Sequence, residues 1–109
     1  MSTPQNCSTP SIWVNAGTTL RLAIQWVDWS GNNVDPDSNT QVLVIQDSHG
    51  DVVETIESDD PNLVRVSVGN FYYAYTTPTL TANDTYLAQW FAKIAGEADT
   101  PRFYFGIIA

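Results

Sequence analysis

The 109 residues make one domain's length, and 12 acidic against 4 basic side chains leave a formal charge of −8. This balance excludes a nucleic-acid binder, which needs clustered Lys and Arg to neutralise phosphates; Arg21, Arg65, Lys93 and Arg102 are scattered. Anionic membranes are disfavoured for the same reason, and apolar runs such as Val42 to Ile45 are far too short to span a bilayer.

Residues 1–11 are polar, carry two prolines, and read as an N-terminal arm, disordered in isolation and ordered against a partner. They hold neither a basic n-region nor an apolar stretch, so no secretory signal is expected. The single cysteine, Cys7, falls in this arm and makes no internal disulfide. After a short strand at residues 11–14, the turn Asn15-Ala-Gly17 leads into residues 18–29. There Leu20, Leu22, Ile24 and Trp26 alternate with Arg21, Ala23 and Gln25, the period of a half-buried strand.

A long polar loop through residues 30–39 precedes the apolar run at 41–46, which reads as a buried strand. Asp47-Ser-His-Gly50 predicts a tight hairpin into residues 51–56. Residues 63–68 alternate again, with Val64, Val66 and Val68 on one face and Arg65 and Ser67 on the other. Phe71, Tyr73 and Tyr75 share a face of the next strand. Tyr86, Ala88, Trp90, Ala92 and Ile94 do so in residues 85–94. Residues 96–101 read as a turn, and Phe103, Phe105 and Ile107 stay in phase to the end. Strand-favouring residues outnumber good helix formers, and no segment keeps a 3.6-residue period. The expected fold is an all-β, antiparallel sandwich of about seven or eight strands, residues 12–109, behind the arm.

Aromatic phase sorts core from surface. Trp26, Tyr75, Tyr86, Trp90, Phe103 and Phe105 fall on apolar phases and are expected inside, with Trp26, Tyr86 and Trp90 packed between sheets. Trp13, Trp29, Tyr72, Phe91 and Tyr104 fall off phase or at strand ends. They are the candidate interface residues, able to stack on sugar rings or to anchor a protein contact.

Catalysis is poorly supplied. A Ser or Cys nucleophile needs an adjacent base, and the one histidine, His49, sits in the hairpin turn. One Cys and one His cannot build a zinc site. Asp35-Pro-Asp37-Ser-Asn39 imitates the first half of a calcium loop, but Thr40 stands where a glycine is required and Gln46 where a bidentate Glu is required. Interstrand loops also pool Asp28, Asp59 and Asp60, which read as solvated rather than as ligands. A hydrolase using paired Asp residues has little room for its cleft in a domain this small. The expectation is no catalytic residue, no metal and no cofactor.

The segment Gly69-Asn-Phe-Tyr-Tyr-Ala-Tyr-Thr-Thr-Pro78, followed by Asp84-Thr-Tyr-Leu-Ala-Gln-Trp90, resembles Ig-like domains of bacterial surface and tailed-phage structural proteins. Upstream, Thr19-Leu-Arg-Leu-Ala-Ile-Gln-Trp26 with Asp28-Trp-Ser-Gly31 and Val34-Asp-Pro36 is similar to their opening strand and turn. Val42-Leu-Val-Ile-Gln-Asp-Ser-His-Gly50 is similar to the hairpin that follows. Asp84 replaces the glycine usual before Thr-Tyr, and residues 102–109 are more aromatic than usual. The resemblance implies an Ig-like sandwich and a non-enzymatic place in a virion. The chain would dock on a capsid, as a decoration or cement protein, or on the neck or tail. Its partners would be capsid or tail subunits and other copies of itself, and it would be made in the host cytoplasm without export. The alternative is a carbohydrate-binding or adhesion module that presents its exposed aromatics to a cell-surface glycan.

Overall fold

The computed structural model describes residues 10–109; the expected disorder of the arm falls mostly on residues 1–9, outside the described residues. Nine strands form and, among the described residues, no helix: β1 (Ile12–Asn15), β2 (Thr19–Gln25), β3 (Val42–Gln46), β4 (Val52–Glu57), β5 (Leu63–Ser67), β6 (Asn70–Thr76), β7 (Asp84–Ile94), β8 (Glu97–Asp99) and β9 (Arg102–Ile108). They build two sheets. The larger runs β1-β9-β7-β3-β4 with β8 paired to the end of β7, and the smaller runs β2-β6-β5. The all-β sandwich is therefore as expected.

Two details correct the expectation. The fold is not wholly antiparallel, because β1 runs parallel to β9, with Ile12 opposite Phe105 and Asn15 opposite Ile108. β1 occupies the edge of β9 opposite β7, and Ser11 N–H extends the pairing by donating to Tyr104 C=O at 2.8 Å. The extra strand, β8, lies inside the expected turn at residues 96–101. Ala95 and Gly96 both adopt positive φ (52° and 83°), the geometry of a two-residue hairpin, which folds β8 back along β7.

The period-two pattern explains the core. Leu22 and Trp26 come from the β2 side, Leu43 and Ile45 from β3, Ile56 from β4, Tyr86, Ala88, Trp90 and Ala92 from β7, and Phe105 and Ile107 from β9. Trp26 and Trp90 meet edge to face, centroids 6.5 Å apart, across the two sheets. The Trp26 indole N–H donates to the buried Gln41 Oε1 at 2.7 Å, so its one polar atom is satisfied inside the core. Phe105 contacts Tyr75, Tyr86 and Phe103 at centroid distances of 6.2, 5.8 and 6.2 Å.

The valine row of β5 faces solvent. Val64, Val66 and Val68 are 36, 65 and 50% exposed, while Leu63 packs on the core. β5 is the free edge of the small sheet, and its register shifts between Arg65 and Ser67. Alternation sets a period but does not say which phase points inward.

Candidate docking surfaces

The five candidate interface residues fall on three surfaces. Trp13, Phe91 and Tyr104 share the outer face of the large sheet. On β7 and β9 the buried positions are Tyr86, Ala88, Trp90, Phe105 and Ile107, so Leu87, Phe91 and Tyr104 project outward between them. Leu87 pairs with Tyr104 and Phe91 with Val42, and Val44 lies in the same outward phase of β3. Trp13, 49% exposed, lies opposite Gly106, and a β-carbon at residue 106 would strike its indole ring. Glycine there lets the ring lie flat over the strand. The outcome is a face of mostly half-buried aromatic and aliphatic side chains, with Gln89 among them opposite Val44 and Arg102.

Tyr72 sits on the outer face of the small sheet, where the Arg21 guanidinium covers its ring at 4.0 Å. That aromatic already has a partner. Trp29 is 94% exposed at the tip of the loop between β2 and β3. The loop is closed, not frayed: Val27 bridges Asn33, Asp28 N–H donates to Asn32 C=O, and Asp28 Oδ1 accepts from Ser30 and Asn32 N–H. Trp29 is thereby held out from the body on a defined turn.

Beside Trp29 the sandwich opens into a cleft of about 650 Å³ between this loop and the β7–β8 hairpin. Val27, Val34, Ile94, Ala95 and Ala98 supply its apolar surface, and Asp28, Asp35, Asp37, Glu97 and Asp99 its carboxylates. Glu97 and Asp99 lie opposite Ile94 and Ala92, on the core side of the β7–β8 ribbon.

The loop acids have identifiable work. Asp35 takes Arg65 in a bidentate pair (Nε–H to Oδ1 at 3.2 Å, Nη2–H to Oδ2 at 2.9 Å) and also accepts from Gly69 N–H at 2.9 Å. The Arg65 guanidinium and that amide hold its carboxyl below the usual range, and Asp35 in turn raises Arg65. Asp37 accepts from Ala95 N–H at 3.1 Å and Gly96 N–H at 2.8 Å, tying the loop to the β7–β8 turn. Asp60 caps its own turn through Asn62 N–H. These carboxylates act as turn acceptors, and among the described residues no group of three or more His, Cys, Asp or Glu converges as metal ligands would.

Comparison with protein-family models, with curated proteins and with solved structures finds no match to this chain. The surfaces themselves therefore carry the functional argument. His49 lies exposed in the β3–β4 turn, whose amides bind Asp47 Oδ1 at 2.9 and 3.0 Å. Of the five aromatics marked in the sequence, Trp13 and Trp29 are exposed and Tyr72, Phe91 and Tyr104 half-buried, and nothing in the sequence pointed to the cleft. Its walls come from residues 27–37 and 94–99, which meet only through the Asp37 bonds to Ala95 and Gly96 and the backbone bond from Asp37 N–H to Lys93 C=O.

Proposed function

We propose that the chain is a non-enzymatic structural protein of a tailed-phage virion, an Ig-like sandwich docking on a capsid, neck or tail subunit. The observation that carries the docking role is the outer face of the large sheet, where Trp13, Phe91 and Tyr104 stand with Val42, Val44 and Leu87. Aromatic residues concentrated on one face, with charged residues at its margins, are the composition of an interface centre. The strand order supports the Ig-like part of the reading. β2-β6-β5 packed on β9-β7-β3 follows strands B-E-D and G-F-C of immunoglobulin sandwiches. No disulfide joins the sheets; the Trp26–Trp90 contact bridges them instead.

One small domain offers on the order of 800 Å² per contact, so stable attachment would come from several contacts acting together. The chain's net charge of −8 discourages particles from aggregating. The test is mass spectrometry of purified particles, first with the natural chain and then with Tyr104→Asp. Many copies per particle, lost with Tyr104→Asp while the isolated variant stays folded, support the reading; absence of the natural chain from particles overturns it. A sugar-binding module is the second reading, favoured by one observation, the Trp29 ring standing free at the lip of a cleft.

A further inference from the structure

We infer that the cleft beside Trp29 is a second docking site, taking an arginine- or lysine-bearing segment of a partner protein. The argument is charge and shape together. Five of the chain's 12 acidic residues line this one cleft, and no Lys, Arg, Asn or Gln does. Two of the five are already engaged: Asp35 by Arg65 and Gly69, and Asp37 by the Ala95 and Gly96 amides. Glu97 and Asp99 make no side-chain hydrogen bond among the described residues, and Asp28 uses only Oδ1. The cleft therefore presents carboxylate acceptors in excess, with the Trp29 indole N–H as the one side-chain donor on its lining. A neutral sugar can donate hydroxyls to these carboxylates but leaves their charge uncompensated. A guanidinium or ammonium gives only, and matches.

Shape selects the same occupant. A cleft of about 650 Å³ is large enough for an extended segment's side chains, and its apolar lining, Val27, Val34 and Ile94 among it, suits the methylene stem of Arg or Lys. The charged head then lies between the Trp29 ring and the Glu97 and Asp99 carboxylates. The molecule already makes both contacts elsewhere: Arg21 lies 4.0 Å above Tyr72, and Arg65 grips Asp35 as a fork. Trp29 is held ready by the closed loop, which removes part of the ordering cost of binding. This site does not depend on docking through the large sheet, which lies on a different surface.

The experiment titrates the isolated protein with an acetylated, amidated Gly-Arg-Gly-Arg-Gly peptide at 150 mM salt, reading amide and indole shifts by NMR. The inference expects shifts confined to Trp29, its loop and residues 94–99. It further expects at least five-fold weaker binding in Trp29→Ala and in Glu97→Gln/Asp99→Asn, and none with Gln in place of Arg. Trp29 is almost wholly exposed, so Trp29→Ala leaves the fold intact. Shifts spread equally over the turns at Asp51 and Asp59 would show unspecific charge attraction and overturn the site. So would Trp29→Ala binding within two-fold of the natural chain. A cellohexaose titration that moves Trp29 when the arginine peptide does not would assign the cleft to a sugar instead.

Discussion

Where β7 begins, Tyr75, Tyr86, Phe105 and Ile107 fill the space between the sheets; where β7 finishes, Asp28, Asp35 and Asp37 hold loops together through backbone amides. The first end is closed by apolar burial, which is insensitive to salt and to mild acid. The second is held by ionised carboxylates, leaving a cleft that a packed end would have filled. The contrast teaches where a small sandwich places its recognition surface. The aromatic end supplies stability, and the polar end is free to carry loops shaped for a partner.

The strongest way to break this contrast is to remove weight from the aromatic end. Phe105 is wholly buried and touches three aromatic rings, so Phe105→Ala should cost about 3–5 kcal/mol in urea unfolding. A loss under about 1 kcal/mol would mean that this cluster is not the main support. At the other end, Gly69 is the position least able to accept a side chain. Its φ is +78°, and a β-carbon would lie 2.6 Å from Trp26 C=O, whose neighbouring N–H binds Gly69 C=O at 2.7 Å. Gly69→Ala should cost about 1–3 kcal/mol, a smaller effect because the β5–β6 turn can give way locally.

The core was legible in the sequence and the polar end's loop contacts were not, for a physical reason. Alternation reports which residues share a strand face, so Trp26, Tyr86 and Trp90 were placed inside from phase alone, and all three are buried. The Asp35–Arg65 pair spans 30 positions and the Asp37–Gly96 bond 59, and no local pattern announces either. Asp35-Pro-Asp37 looked like half a calcium loop because both uses need carboxylates near a turn. β8 escaped because positive φ at Ala95, a residue with no special liking for it, made a hairpin where a loose turn was expected. Trp13, Trp29, Tyr72, Phe91 and Tyr104 were marked by lying off phase or at strand ends, yet neither sign can tell Tyr72, covered by Arg21, from Trp29, covered by nothing.

Alkaline titration sharpens the comparison from the aromatic side. Burial, with the nearby Tyr86, Glu54 and Tyr73, pushes the Tyr75 phenol up to about 12, from an ordinary value of about 10. A raised folded value means that the fold favours the protonated form. This contribution is complete below about pH 10 and is lost as pH climbs toward 12. Tyr75→Phe should therefore flatten part of the fall in denaturation midpoint between pH 9.5 and 11.5. Parallel curves for the two proteins would show that Tyr75 ionises in the fold as freely as in the unfolded chain.

Acid acts on the opposite end, and the expected effect is the smallest because the Asp35–Arg65 pair is exposed to solvent. The Asp35 carboxyl is held below its ordinary range by Arg65 and the Gly69 amide, so the fold favours its ionised form. That contribution is present above about pH 4, the unfolded value, and disappears as pH drops through the lower folded one. Asp35→Asn keeps an oxygen for Gly69 N–H but gives up the charge. The variant should melt slightly lower at pH 7 and converge on the natural chain as pH falls toward 2. The gap at pH 7 should also narrow in 1 M NaCl, because screening reaches an exposed pair but not the Phe105 cluster. Thermal melts at both pH values, with and without salt, measure this directly. A gap that stays constant from pH 7 to pH 2 would show that the polar end is held by the shape of its turns rather than by charge, and the two ends would then differ less than their residues suggest.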